Sequence, residues 1–141
     1  MDRVFFDTDV CLDIILKREP FESQVVPIIE LMQAGSIEIF FSEGSIPNLI
    51  YISQERYKLS GGVESLVRWI STYSMVSSSR QSVVYSLQSD FKDKEDAYQY
   101  FTALHNEMDL IITRNKKDYE PYAKAIPVYT PSEFLTTYNT Q

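Results

Sequence analysis

The sequence predicts an α/β fold in which a mainly parallel sheet is covered by helices on both faces. Three observations predict it. Short apolar runs, VFF at 4–6, IEIFF at 37–41 and LIIT at 110–113, read as buried strands. Between them lie stretches whose apolar residues recur at helical spacing. The two kinds alternate in the order β-α-α-β-α-α-β-α-α-β-α-β-α. No internal repeat, low-complexity tract or linker interrupts them, and 141 residues fit one domain, 1–141.

Taken in order, residues 3–7 form the first strand and 9–17 a helix that halts near Glu19-Pro20, because the residue before a proline avoids the helical region. Residues 22–34 form an amphipathic helix, with Val25, Ile28, Ile29 and Met32 on one face and Gly35 as the stop. Strand 37–41 follows. A helix over 45–58 carries Ile46, Leu49, Ile50 and Tyr57 on one side and tolerates Pro47 in its first turn. Gly61-Gly62 breaks it, and Val63, Leu66, Val67 and Ile70 mark the next helix. Met75-Val76 is a short strand, 80–88 a short helix and 93–107 a longer one with an apolar stripe of Ala97, Tyr100, Phe101 and Leu104. LIIT is the third strong strand, 116–123 a short helix, 126–130 an edge-like strand and PSEFLTTY a closing helix.

Composition narrows the function. The chain is 44% hydrophobic and 23% charged, as ordinary globular proteins are. No apolar run reaches the ~18–20 residues of a membrane span. The MDRVFF start lacks the basic, apolar and small-residue pattern of a signal peptide, so a cytoplasmic protein is expected. The lone Cys11 cannot form an internal disulfide. The single histidine, His105, excludes a histidine-rich metal site within one chain and argues against a Ser-His-Asp triad. The net charge of −7 does not attract nucleic acid by itself. Catalysis, if present, rests on carboxylates with a hard metal ion.

In parallel sheets, ligands bind beyond the carboxyl ends of the strands. Asp7 and Asp9 follow the first strand there, Ser42 follows the second, and Thr113, Arg114 and Asn115 follow LIIT, with Asp118 just beyond. Asp93, Glu95 and Asp96 open the 93–107 helix, and Asp96 lies beside its apolar stripe. Helix capping is the competing explanation for each acid. Either Asp7 or Asp9 caps the following helix, Asp93 suits the start of its own, and Asn115 or Asp118 suits the 116–123 helix. One cap does not need two acids, however. Carboxylates gathered at one sheet edge repel unless a cation compensates, and Mg²⁺ or Mn²⁺ with oxygen ligands and water is the natural compensation. His105 reads as a surface or partly buried helix residue, Cys11 as a core thiol, and Trp69 with most tyrosines as packing. Lys116-Lys117 reads as a solvated pair within reach of phosphate.

The stretches FFDTDVCLD at 5–13, DKEDAYQYFTA at 93–103, LIITRNKKDY at 110–119 and VYTPSEFL at 128–135 resemble the PIN-domain family, which includes toxins of bacterial toxin–antitoxin pairs. The resemblance spans essentially the whole chain. It implies a three-layer α/β/α sandwich and a Mg²⁺- or Mn²⁺-dependent ribonuclease. It further implies that Asp7, Asp96 and Asp118 hold the metal, with Asn115 in the final motif and Thr113 supporting the cluster. Asp9 matches no essential acid of the family and would cap the following helix or support the site from behind, or add a ligand, as Asp93 and Glu95 would. Arg114 and Lys116 would contact RNA. A homodimer and an antitoxin partner are expected on the same ground.

One position departs from the pattern. The family carries a glutamate in the helix after the second strand, and SEGSIPNLIYI places Asn48 there. Asparagine keeps an oxygen ligand and loses the charge, so a non-catalytic RNA- or protein-binding module is the alternative. A phosphatase of the haloacid dehalogenase class also opens on strand–D-x-D, and DTD is a near match. Thr-Arg-Asn after the third strand, where that class has an acidic pair, argues against it.

Overall fold

The computed structural model describes residues 1–56 and 61–139. Its five strands form one sheet, all parallel, in the order β3-β2-β1-β4-β5. These are β1 (Asp2–Phe6), β2 (Ile37–Ser42), β3 (Ser74–Val76), β4 (Leu110–Ile112) and β5 (Val128–Tyr129). The helices are α1 (Thr8–Ile15), α2 (Phe21–Gln33), α3 (Ile46–Ile50), α4 (Gly62–Thr72), α5 (Arg80–Gln88), α6 (Lys94–His105), α7 (Lys116–Tyr119) and α8 (Pro131–Asn139). The alternation of strands and helices, and the edge position of β5, are as the sequence predicts.

β1 is central because its side chains are apolar on both faces. Val4 and Phe6 join a core shared with α1, α2, α4 and α8, while Phe5 joins Phe40, Phe91, Tyr100, Ile111 and Tyr119 on the other face. Each such side chain contributes about 1.5–3 kcal/mol on burial. Helices thus cover both faces, which gives the three-layer α/β/α sandwich. Gly35, with φ +80°, supplies the left-handed turn that ends α2.

Most element ends lie within two residues of expectation, the last strand among them at Val128–Tyr129 rather than 126–130, and three elements differ further. The helix expected over 45–58 begins as a 3₁₀ turn at Glu43–Ser45, is α-helical over α3 and widens to a π-helix over Tyr51–Arg56. The Ser53 hydroxyl donates to the Leu49 carbonyl at 2.7 Å, the back-bonding that bends such helices. Its last expected residues, Tyr57 among them, lie outside the described residues. α7 stops at Tyr119 rather than 123, because Pro121 has no N–H to continue the ladder. On α6 the buried stripe is Ala97, Tyr100 and Ala103, while Leu104 is exposed.

The chain visits β1, β2 and β3 on one side and then crosses to β4 and β5 on the other. The reversal lies between β1 and β4, where a parallel sheet opens a crevice at its carboxyl end. Asp7 is the residue at which the chain leaves β1.

Candidate active site

Asp7 is held from two directions and is 3% exposed. Its Oδ1 accepts the Val10 N–H at 3.0 Å, capping α1. Its Oδ2 accepts the Thr113 hydroxyl from the end of β4. The Thr113 hydroxyl in turn accepts the Asn115 N–H at 3.1 Å. The α1 cap is therefore Asp7 and not Asp9. Asp9 sits inside the first turn, and its carboxylate accepts the Asn115 side-chain amide at 3.0 Å.

Asp7 opens onto a cleft of about 360 Å³ that Asp9, Asp96 and Asp118 also line, with Asn48 and Asn115. Asp93 and Glu95 stand at its rim. Asp93 caps α6, accepting the N–H groups of Glu95 at 2.8 Å and Asp96 at 3.3 Å. That cap turns the half-buried Asp96 toward the cleft rather than outward. Thr113 is fully buried behind Asp7 and meets the cleft through its hydrogen bonds to Asp7 and Asn115.

The electrostatics follow from this crowding. Burial pushes the Asp7 carboxyl up to about 7, outweighing the Thr113 and Val10 hydrogen bonds, and the charges of Asp9 and Asp96 add to the rise. Burial likewise pushes Asp96 up to about 7, helped by Asp93, Asp118, Asp9 and Glu95. Two carboxyls held this high mark a site that favours a bound proton or a cation. Among the described residues, no three His, Cys, Asp or Glu side chains form a ready-made cage. The donor set is oxygen-only, with two acids raised by burial, neutral Asn48 and room for water. This fits a hard cation that keeps much of its hydration and takes one or two carboxylates.

The cations expected to contact RNA do not line this cleft. Arg114 donates to Asp13 at 2.7 Å and lies 3.9 Å over the Phe21 ring. Asp13 is fully buried and also takes Arg18 at 2.9 Å, so Arg114 belongs to a structural ion-pair network. Burial still raises the Asp13 carboxyl despite both arginines. Lys116 pairs with Glu133 at 2.7 Å, on α8. The lysine that does line the cleft is Lys94.

Sequence reasoning also missed the neutral side of the site. Gln99, 6% exposed, donates to the Thr8 hydroxyl at 3.2 Å and to the Ser45 hydroxyl at 3.1 Å. Those two hydroxyls bond each other at 2.7 Å. The network ties α6, α1 and the turn before α3 together along the wall of the cleft. Its one sequence signal is that Gln99 lies a helical turn beyond Asp96.

Comparison with known proteins agrees with this architecture. Residues 3–117 match the PIN domain family. The curated protein Ribonuclease VapC1 of Aquifex aeolicus (strain VF5) is 25% identical over 143 residues, covering 99% of this chain and 97% of that one. Among solved structures, the DNA-bound VapBC of Salmonella typhimurium aligns with TM-score 0.73 and 16% identity over 93% of this chain and 99% of its own. VapBC2 from Rickettsia felis, bound to a DNA fragment from its promoter, aligns with TM-score 0.68 and 16% identity over 89% and 96%.

Proposed function

Since the chain belongs to the PIN-domain family, we propose that it is a single-domain, Mg²⁺- or Mn²⁺-dependent ribonuclease and the toxin of a toxin–antitoxin pair. The observation that carries this reading is a single cleft at the β1–β4 crevice lined by both Asp7 and Asp96, two carboxyls that burial raises to about 7. The Aquifex aeolicus relative, named a ribonuclease and matched over nearly its whole length, supports it.

Asp7 and Asp96 would hold the cation, and Asp118 would reach it directly or through water. Asn48 would offer a neutral oxygen. The bound cation supplies positive charge to the phosphoryl oxygens and makes water a better nucleophile. The chain's own part is orientation. Thr113 and the Val10 N–H fix the Asp7 carboxylate in one rotamer, so its geometry is set before substrate arrives. Asn115 donates its side-chain amide to Asp9 and fixes that carboxylate. Lys94 lines the cleft with its ammonium donating to the Ser89 carbonyl at 2.7 Å, and its remaining N–H donors would be the ones to meet an RNA phosphate.

The solved VapBC structures that share this fold are complexes with a partner, and a partner protein for this chain is part of the proposal. α4 exposes Val63 and Val67, and α5 exposes Val84 and Leu87, apolar area that an antitoxin or a second copy would cover. No helix among the described residues is long and apolar enough to cross a membrane, in keeping with action on RNA in the cytoplasm.

Asn48 favours a second reading, a PIN-like module that binds RNA or protein without cutting. It lines the cleft as a neutral group where the family has an acid. Incubating the protein with RNA in Mg²⁺ or Mn²⁺ separates the two. The nuclease reading expects cleavage that a chelator stops. Binding without cleavage favours the module, and hydrolysis of a phosphomonoester alone rejects both.

A further inference from the structure

Beside the acidic cleft lies a second cavity of about 440 Å³, and the two share one wall, Gly44 and Tyr98. That volume falls within the ~300–1,000 Å³ of small-molecule sites. The shared wall is built for close approach. Gly44 has no side chain, and a methyl group there would overlap the Tyr98 phenol. Only glycine lets this ring lie against the turn after β2, where the Ser42 hydroxyl meets its oxygen at 3.5 Å.

The far side of the cavity is polar in a selective way. Glu43 lines it and is exposed, and one carboxylate oxygen accepts the Ser77 hydroxyl. The other oxygen has no partner among the described residues. Ser77 fixes the orientation of the carboxylate without consuming it. Ser78, also in the lining, has a buried hydroxyl with no hydrogen-bond partner among the described residues. Val83, from α5, supplies an apolar contact. An aromatic ring, an apolar patch and an oriented acceptor beside the acidic cleft are what an unpaired nucleobase needs to stack and be read.

We propose that this cavity holds the base of the nucleotide next to the scissile phosphate, stacked on Tyr98 and read by Glu43, with guanine preferred. The inference rests on the ribonuclease reading of the adjoining cleft. The preference follows from hydrogen-bond chemistry. An ionised carboxylate only accepts, through two oxygens. Guanine offers two adjacent donors, N1–H and the N2 amine. Adenine, cytosine and uracil each offer one donor group on the corresponding edge. Glu43 thus pairs in bidentate fashion with guanine and singly with the others.

Two measurements on the 141-residue chain test this. In the first, random-sequence RNA is cleaved with Mn²⁺ and the ends are sequenced. Guanine is expected enriched about tenfold at one position flanking the cut, the ratio that one extra hydrogen bond of about 1.4 kcal/mol gives. Glu43→Gln, an isosteric change at an exposed residue, should collapse that preference, and Gly44→Ala should weaken it by displacing Tyr98. In the second, guanosine 5′-monophosphate and adenosine 5′-monophosphate are titrated without divalent cation and followed by NMR shifts at Ser77–Ser79. Guanosine monophosphate should bind more tightly, and Glu43→Gln should remove the difference. Binding selectivity without any RNA cleavage would uphold the subsite and reject the nuclease reading. Cleavage with no base preference, or one that Glu43→Gln leaves intact, would overturn the subsite and leave the nuclease reading standing. Absence of both would overturn both.

Discussion

Thr113, at the end of β4, donates its hydroxyl hydrogen to the carboxylate of Asp7, at the end of β1. The bond crosses the point where the strand order reverses and joins residues 106 positions apart. Its loss has two consequences. The Asp7 carboxylate loses a donor that lowers its pKa, and the Asn115 N–H loses its acceptor. Thr113→Val should cost about 1–3 kcal/mol in denaturant unfolding. RNA cleavage should fall at least about tenfold, a barrier increase of ~1.4 kcal/mol. Thr113→Ser keeps the hydroxyl and should restore most of both.

The two raised carboxyls predict an unusual pH response. Asp7 and Asp96 move from 3.8 to about 7 on folding. The folded state therefore binds protons more tightly than the unfolded state. The stability these groups contribute is full below pH 4 and is lost as pH rises through 7. A cation competes with those protons, so the increase in Tm on adding Mn²⁺ should grow from pH 5 to pH 8. Thermal scans across that range should show both trends, and Asp7→Asn should flatten them.

Asp13 predicts a stability effect with no direct role at the cleft. It is fully buried and holds Arg18 and Arg114. Asp13→Ala leaves two cations without their counter-charge and should cost about 3 kcal/mol in chemical denaturation, the low end for a broken buried pair because both guanidinium groups reach solvent.

The misplacement of Arg114 shows where a sequence stops being legible. The strand ends, the helix periods and the carboxyl edge of the sheet are local patterns, and they located Asp7, Asp96 and Asp118 in one cleft. Arg114 stands beside Thr113 in sequence, and proximity suggested a shared task. Its partner, Asp13, lies 101 residues away on α1, and only the packing of α1 against the β4 end brings them together. The division of labour between Asp7 and Asp9 was hidden for a similar reason. Asp7 lines the cleft and caps the helix at once, a double placement that follows from the φ −72°, ψ 171° backbone at the end of β1. Tyr98, Ser45 and Gln99 carry no motif at all. They matter because the turn after β2 and the start of α6 meet across the cleft.

Asn48 predicts a gain of function. It lines the cleft and is exposed, so Asn48→Glu adds a carboxylate without a burial cost. Mn²⁺ affinity, measured by calorimetry, should tighten about tenfold, ~1.4 kcal/mol, and RNA cleavage should rise with it. An unchanged affinity would mean that position 48 does not face the cation.

The central claim is that Asp7 and Asp96 together hold the cation that cuts RNA. Its most direct test is the rate of RNA cleavage at saturating Mn²⁺ for the wild type, Asp7→Asn and Asp96→Asn, each confirmed folded by circular dichroism. Each single substitution should abolish cleavage, and the double variant should be no worse than either, because the two acids act on one ion. Wild-type rates in either folded variant would contradict the account.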